Sequence, residues 1–172
     1  MGVAKSRLLF WTIFLGTLIG DQVIKWLMRT NFAESQSATL IPGVLDLRLT
    51  YNKGIAFGQL QGFGVYLAPV AIVIAIGAAV YTYKHAHESG WIHSAMGMLA
   101  SGALGNMIDR VFLGRVTDMF ETRFMKFPVF NFADACISVA AAVLVVKWTL
   151  ESLQEPAAAS TPENDSQSTQ SP

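Results

Sequence analysis

The chain has a single cysteine in 172 residues, Cys136, which excludes an internal disulfide and any zinc site built on cysteines. Histidine is almost as scarce. His85, His87 and His93 lie close together with no carboxylate-rich helix face nearby. His85 and His87 are two apart and point to different sides of a helix, so no metal site is expected. A charge excess is missing too. Twelve Lys and Arg balance twelve Asp and Glu, and nothing in that balance calls for a nucleic-acid partner. Charge of either sign is sparse, at 14% of residues against 52% hydrophobic, and this places the chain on the apolar side of a soluble domain.

What is present is a set of four long apolar runs, at about 8–28, 65–83, 91–113 and 131–150. Roughly 20 mostly apolar residues cross a hydrocarbon layer about 30 Å thick, so the expected fold is mainly α and integral to a membrane, with four transmembrane helices. Lys5 and Arg7 before the first run imitate a signal peptide. No small-x-small cleavage site follows, and the apolar pattern continues to Met28, so the run is read as a retained span. Residues 152–172 are rich in Ser, Gln, Pro and Glu. Such a segment buries too little surface to offset its ordering entropy, and a disordered polar tail is expected after a membrane domain covering 1–151.

The connections are unequal. Residues 84–90 make a short polar turn, whereas 29–64 and 114–130 are long. In the first long connection Leu45, Leu47 and Leu49 alternate with Asp46, Arg48 and Thr50, the two-residue period of a half-buried strand. Pro42-Gly43 and Asn52-Lys53-Gly54 bracket it as turns. The second connection is β-like around Phe127, Val129 and Phe130. The positive-inside count favours the long loops inside the cell or is at best uninformative. Lys5, Arg7, Lys84 and Lys147 stand on the terminal side, but Arg29, Arg48, Lys53, Arg115, Arg123 and Lys126 stand on the long-loop side.

Ionisable groups at membrane depth are costly and therefore candidates for function. Asp21 and Lys25 are spaced i,i+4 with the acid first, the favourable order for a pair. They make either a self-neutralising structural pair or a contact to substrate. Asn106, Asp109 and Arg110 share one helix face. Arg110 alone fits a helix end reaching for water, but Asn106 lies deeper and needs a partner. Asn131 and Asp134 have the spacing of an N-cap and its N3 acid. The competing reading makes Asp134 a reactive carboxylate at the membrane rim.

Asp118 precedes Asp134 by sixteen residues on the same side. If the connection folds back, the two acids can meet. Paired carboxylates in a poorly solvated site share a proton. One then serves as base toward water while the other polarises a carbonyl, a route to peptide hydrolysis without a nucleophilic Ser or Cys and without a metal.

Four blocks carry a family pattern: DQVIK at 21–25, YNKGIAFG at 51–58, SGALGNMIDRVFLGRVTDMF at 101–120 and FNFADACISVA at 130–140. In this order, with four spans around them, they resemble the lipoprotein signal peptidases, or signal peptidase II. The resemblance implies an intramembrane aspartic endopeptidase of the bacterial inner membrane. Such an enzyme removes the signal peptide from a lipid-modified prolipoprotein, cutting just before a cysteine that carries a diacylglyceryl group. It implies Asp118 and Asp134 as the catalytic pair, and Asp21, Lys25, Asn52, Gly54, Asn106, Asp109, Arg110 and Asn131 as substrate-binding or supporting residues. It also implies a small extracytoplasmic β-containing cradle, both termini in the cytoplasm, and a monomer among membrane lipids that needs no cofactor. Gly54 is expected to supply a positive φ or a close backbone approach. Phe57 either covers the site or anchors at the interface. Arg115 reads as ordinary loop charge.

Cys136 within Ala133-Asp134-Ala135-Cys136 is deep in the chain and follows an acid. It is read as a small packing residue and not as a lipidation site. Two other classes compete with a peptidase. A small transporter or proton channel would line its path with Asp21, Lys25, Asp109 and Arg110, but no internal repeat of the transporter kind is found between 1–83 and 84–150. A non-enzymatic membrane subunit would use the β-like loop for binding.

Overall fold

The computed structural model describes residues 2–54 and 64–154. Phe57 and the tail beyond residue 154 lie outside the described residues. Four helices and three strands follow in the order α1 (Val3–Asn31), β1 (Ser37–Ile41), β2 (Leu45–Asn52), a 3-10 turn (Gly64–Leu67), α2 (Ala68–Lys84), α3 (Gly90–Leu113), β3 (Val116–Thr122) and α4 (Phe132–Gln154).

The four apolar runs are all helical, with later or earlier ends than the runs themselves. The polar composition after residue 150 does not stop α4, which continues to Gln154. Among the described residues, three helices are long and apolar enough to cross a membrane: Val3–Asn31, Gly64–Lys84 and Phe132–Leu153. α3, of 24 residues, is not among these three. The reason lies in packing. α3 touches α1, α2 and α4, and it buries Ala95, Gly97, Ala100, Ser101, Gly102, Ala103 and Gly105. Small residues let helices approach closely. A Cβ on Gly102 would sit only 2.6 Å from the Ala133 carbonyl oxygen of α4. A helix enclosed by protein has no need of the large apolar side chains that lipid-facing helices carry. α2 shows the contrast, exposing Val70, Val73, Ile76 and Val80.

The strands form one antiparallel sheet in the order β1-β2-β3. The Pro42-Gly43 turn joins β1 to β2, closed by Val44 N–H donating to Ile41 O at 3.0 Å. Leu49 and Met119 meet Met28 of α1 in a small core, with Ile24, Phe32, Leu47, Tyr51 and Phe120 around it. The sheet thus lies against the last turns of α1. The strand in the second long connection is Val116–Thr122 and not the segment around Phe127. Pro128 lacks an N–H for a ladder, and only Phe130 there bridges, to Phe120.

At the opposite end of the bundle Lys147 of α4 pairs with Glu88 of the α2–α3 turn at 3.0 Å. The termini and the sheet therefore occupy opposite ends, as the connection lengths imply.

Candidate active site

α3 ends on Gly114, whose φ of 68° places it in the left-handed region that glycine adopts without penalty. Its N–H donates to Arg110 O at 3.1 Å. The chain then folds back, and Asp109 fixes the return by accepting the Thr117 backbone N–H at 2.8 Å. β3 pairs with β2 so that Asp118 sits opposite Thr50. The helix cap and Asp109 together aim Asp118 at the start of α4.

That start is a capping box. The Asp134 N–H donates to Asn131 Oδ1 at 3.0 Å, and the Asn131 N–H donates to Asp134 Oδ2 at 3.2 Å. The side-chain amide of Asn131 remains available and donates to Asp118 Oδ1 at 2.7 Å. Asn131, 0% exposed, therefore binds both carboxylates, one through its side chain and one through its backbone. The two readings of Asp134 are compatible: it caps the helix and faces Asp118.

Asn106 extends the network. Its Nδ2 donates to Asp134 Oδ1 at 2.8 Å, while its Oδ1 accepts Asn131 Nδ2 at 3.0 Å and Lys25 Nζ at 3.0 Å. Behind it stands α1. Lys25, 0% exposed, lies 2.9 Å from Asp21 Oδ2 and 3.6 Å from Asp109 Oδ2. Asp21 Oδ1 accepts the Ala133 N–H at 3.0 Å, and Gln22 ties Asp21 Oδ2 to Gly105 O at 3.0 and 3.1 Å. Arg29 reaches Thr117 Oγ1 at 3.0 Å and lies 3.7 Å from Asp109. Every buried charge in this layer has an opposite charge and a hydrogen bond, the condition under which burial is tolerated.

In front of the carboxylates opens a cavity of about 750 Å³. Asn52, Asn106, Arg110, Asp118 and Asp134 line its polar end, and Leu67, Val70, Ile74, Phe127, Phe130 and Ile137 line the rest. Asn52 also holds the turn, accepting the Gly54 N–H at 2.9 Å. Close backbone approach occurs at Gly64, where a Cβ would sit 3.1 Å from Gly54 O and 3.3 Å from Arg110 Nε. Arg110 Nε is buried with no hydrogen-bond partner among the described residues.

Burial in this apolar setting raises the Asp118 pKa to about 7, and the neighbouring Asp134 charge adds to the rise. Asn131, Lys25 and Arg110 act against it. A carboxyl that keeps its proton near neutrality, beside a second one held by amide donors, is equipped for acid–base work on a water molecule.

The residues singled out in the sequence converge, but with different positions. Asp118, Asp134, Asn52, Asn106 and Arg110 reach the cavity. Asn131 joins the carboxylates from behind. Asp21, Lys25 and Asp109 do not line the cavity. They form the layer behind it, where Asp21 and Lys25 pair with each other. Asp109 also leaves the face it shares with Arg110 and turns to β3. Two supports went unnoticed in the sequence, Gln22 and Thr117. Arg115 is corrected as well, since its guanidinium stacks 3.5 Å over the Tyr51 ring. The contact depends on the β2–β3 ladder, which pairs Tyr51 with Thr117, two residues from Arg115.

By class, this is a helical membrane protein with a hydrogen-bonded carboxylate pair, Asp118 buried and Asp134 half-buried, beside an apolar cavity. Residues 13–150 match the family of signal peptidase (SPase) II. Lipoprotein signal peptidases of Gloeobacter violaceus and Streptococcus pneumoniae are 33% and 34% identical over 150 residues, covering 87% of this chain and 87% and 97% of those proteins. That of Symbiobacterium thermophilum is 36% identical over 135 residues, 77% of this chain and 89% of its own. A bacterial membrane enzyme solved in meso at 2.3 Å resolution superimposes with a TM-score of 0.78 at 27% identity, over 94% of each chain. The chain belongs to the signal peptidase II family. It is accordingly a bacterial membrane protein and a peptide-bond hydrolase of the aspartic class.

Proposed function

We propose that the chain releases the signal peptide of diacylglyceryl-modified prolipoproteins by cutting just before the lipidated cysteine, with Asp118 and Asp134 as the catalytic pair. The carrying observation is Asn131, which holds Asp118 at 2.7 Å and Asp134 at 3.2 Å. Asp118 carries the shared proton and gives it to the scissile carbonyl oxygen. Asp134, fixed as an acceptor by Asn106 and Asn131, takes a proton from the attacking water. The water oxygen bonds to the carbonyl carbon; on collapse Asp134 passes its proton to the leaving nitrogen, a hydroxyl of the tetrahedral intermediate returns a proton to Asp118, and the C–N bond breaks to give a carboxyl group and a free amine. Arg110 and Asn52 hold the substrate backbone at the polar end of the cavity, and the apolar remainder receives side chains near the scissile bond.

In this reading residues 1–151 form one membrane domain and α3 is its fourth span. Its 24 residues reach about 36 Å, and exposed Trp91 and Phe112 mark its two ends. Both termini lie in the cytoplasm of an inner-membrane monomer, with the sheet as an extracytoplasmic cradle beside the lipids. The transporter alternative is not supported, because Asp21 and Lys25 are occupied by each other and by Asn106.

The test is cleavage of a diacylglyceryl-modified precursor in liposomes by Asp118→Asn and, separately, Asp134→Asn. Each is expected to fall by about 100- to 10,000-fold, the range for loss of a positioned acid or base. Signal-peptide release at the wild-type rate by either variant would overturn the assignment.

A further inference from the structure

The sheet has an outer tip that the catalytic reading does not use. The Pro42-Gly43 turn and the loop after β3 meet there, joined by the Arg123 N–H donating to Val44 O at 3.0 Å. Four apolar side chains are exposed at this tip: Ile41 at 48%, Val44 at 45%, Phe124 at 67% and Met125 at 51%. Arg123 and Lys126 flank them. The nearby acids are engaged, Asp46 with Arg123 at 3.3 Å and Glu121 with Arg48 at 2.9 Å.

The height of the tip follows from the core of the sheet. Leu49, Met119, Leu47 and Phe120 pack on Ile24, Met28 and Phe32. That contact spans the last two turns of α1, so the sheet rests along the flank of the helix and not beyond its end. The same part of α1 exposes Val23, Trp26 and Leu27 to its surroundings. An apolar tip on a sheet packed against a lipid-facing stretch of α1, edged by Lys126 and by Arg123 with its partner Asp46, has the makeup of an interfacial anchor for an anionic bilayer.

We infer that Val44, Phe124 and Met125 insert into the headgroup layer of the membrane while Arg123 and Lys126 meet lipid phosphates. The tip thereby holds the sheet at a fixed height above the cavity. The inference rests on the membrane placement of the chain and not on the identity of its catalytic pair.

The test uses the full chain in vesicles of phosphatidylcholine, with or without phosphatidylglycerol. A spin label is placed at Met125→Cys, with Glu34→Cys as a comparison; the unsubstituted chain, whose Cys136 is buried, controls for background labelling. The label at 125 is expected to collide more with oxygen than with a water-soluble nickel chelate, and the label at 34 less. The label at 125 should lie deeper when phosphatidylglycerol is present, and Lys126→Glu should remove that gain. A water-like reading at 125, or equal depth in both lipids, overturns the inference. Spin–spin broadening between labels would overturn it in favour of a second copy of the chain. A second measurement separates this from catalysis: Phe124→Ser/Met125→Ser should cleave precursor normally in detergent and several-fold more slowly in anionic vesicles. An equal loss in both would also overturn it.

Discussion

Lys25 of α1 and Asn131 at the start of α4 donate to the same atom, Asn106 Oδ1, each at 3.0 Å. Two donors on the carbonyl oxygen leave the amide nitrogen of Asn106 facing Asp134, where only an acceptor is useful. A buried ammonium on the first helix thus sets the orientation of an amide on the third, which in turn holds a carboxylate on the fourth. Four consequences can be measured.

Cleavage should follow a bell-shaped pH profile that belongs to the pair. The alkaline limb is expected near pH 7, where Asp118 loses the proton it donates. The acid limb belongs to the pair's uptake of a second proton. The measurement is kcat/KM against pH under conditions where substrate entry does not limit turnover, and a flat profile between pH 4 and 9 would contradict shared-proton chemistry.

Asp118→Asn should raise stability while lowering activity by about 100- to 10,000-fold. A carboxyl whose folded pKa is raised from 3.8 to about 7 costs stability as pH climbs through that window. Below it both folded and unfolded states are protonated, and the cost vanishes. Three pH units at about 1.4 kcal/mol each give an upper figure of about 4 kcal/mol. Thermal unfolding in detergent should therefore show a higher Tm for the variant at pH 8 and a small difference near pH 4. The Asn keeps an oxygen to accept from Asn131, so the network is preserved.

Lys25→Met should be among the most damaging changes outside the cavity. It leaves Asp21 buried without its cation and removes a donor from Asn106. Breaking one side of a buried pair costs about 3–5 kcal/mol. Asp21→Asn added to Lys25→Met should recover part of that loss. A Tm of Lys25→Met equal to the wild type would show that the pair does not carry the support assigned to it.

Gly102→Ala should disrupt the contact between α3 and α4, because the new Cβ would meet the Ala133 carbonyl at 2.6 Å and Ile137 at 2.7 Å. Overpacking of this kind costs about 1–3 kcal/mol, and it displaces the helix that carries Asp134. Gly77→Ala on α2, where nothing lies within 4 Å, should instead be neutral or gain about 0.5–1 kcal/mol from the restored helix preference. Paired unfolding and activity measurements on the two variants separate close packing from general helix effects.

Much of this was legible in the amino-acid sequence, for physical reasons that are local. Apolar run length determined the helices, the i,i+4 spacing determined the Asp21–Lys25 pair, and the Asn131–Asp134 spacing determined the capping box. Each depends on residues within one turn or one run. β3 was hidden because VTDMFET does not alternate: Val116, Thr117, Asp118 and Met119 are all buried, and the polar members are satisfied by Asp109, Arg29 and Asn131 on other elements. α3 carries its small residues where it packs against the other helices, a role that the apolar run alone does not reveal. Only the tertiary structure decided which charged residues face the cavity and which stand behind it. Asp109 and Arg110 are neighbours in the chain and on one helix face, yet one holds a strand and the other faces the cavity. That division comes from Gly114 turning β3 back across the end of α3 and from Lys25 lying against Asn106. Both are contacts between distant segments, whose geometry no local spacing contains.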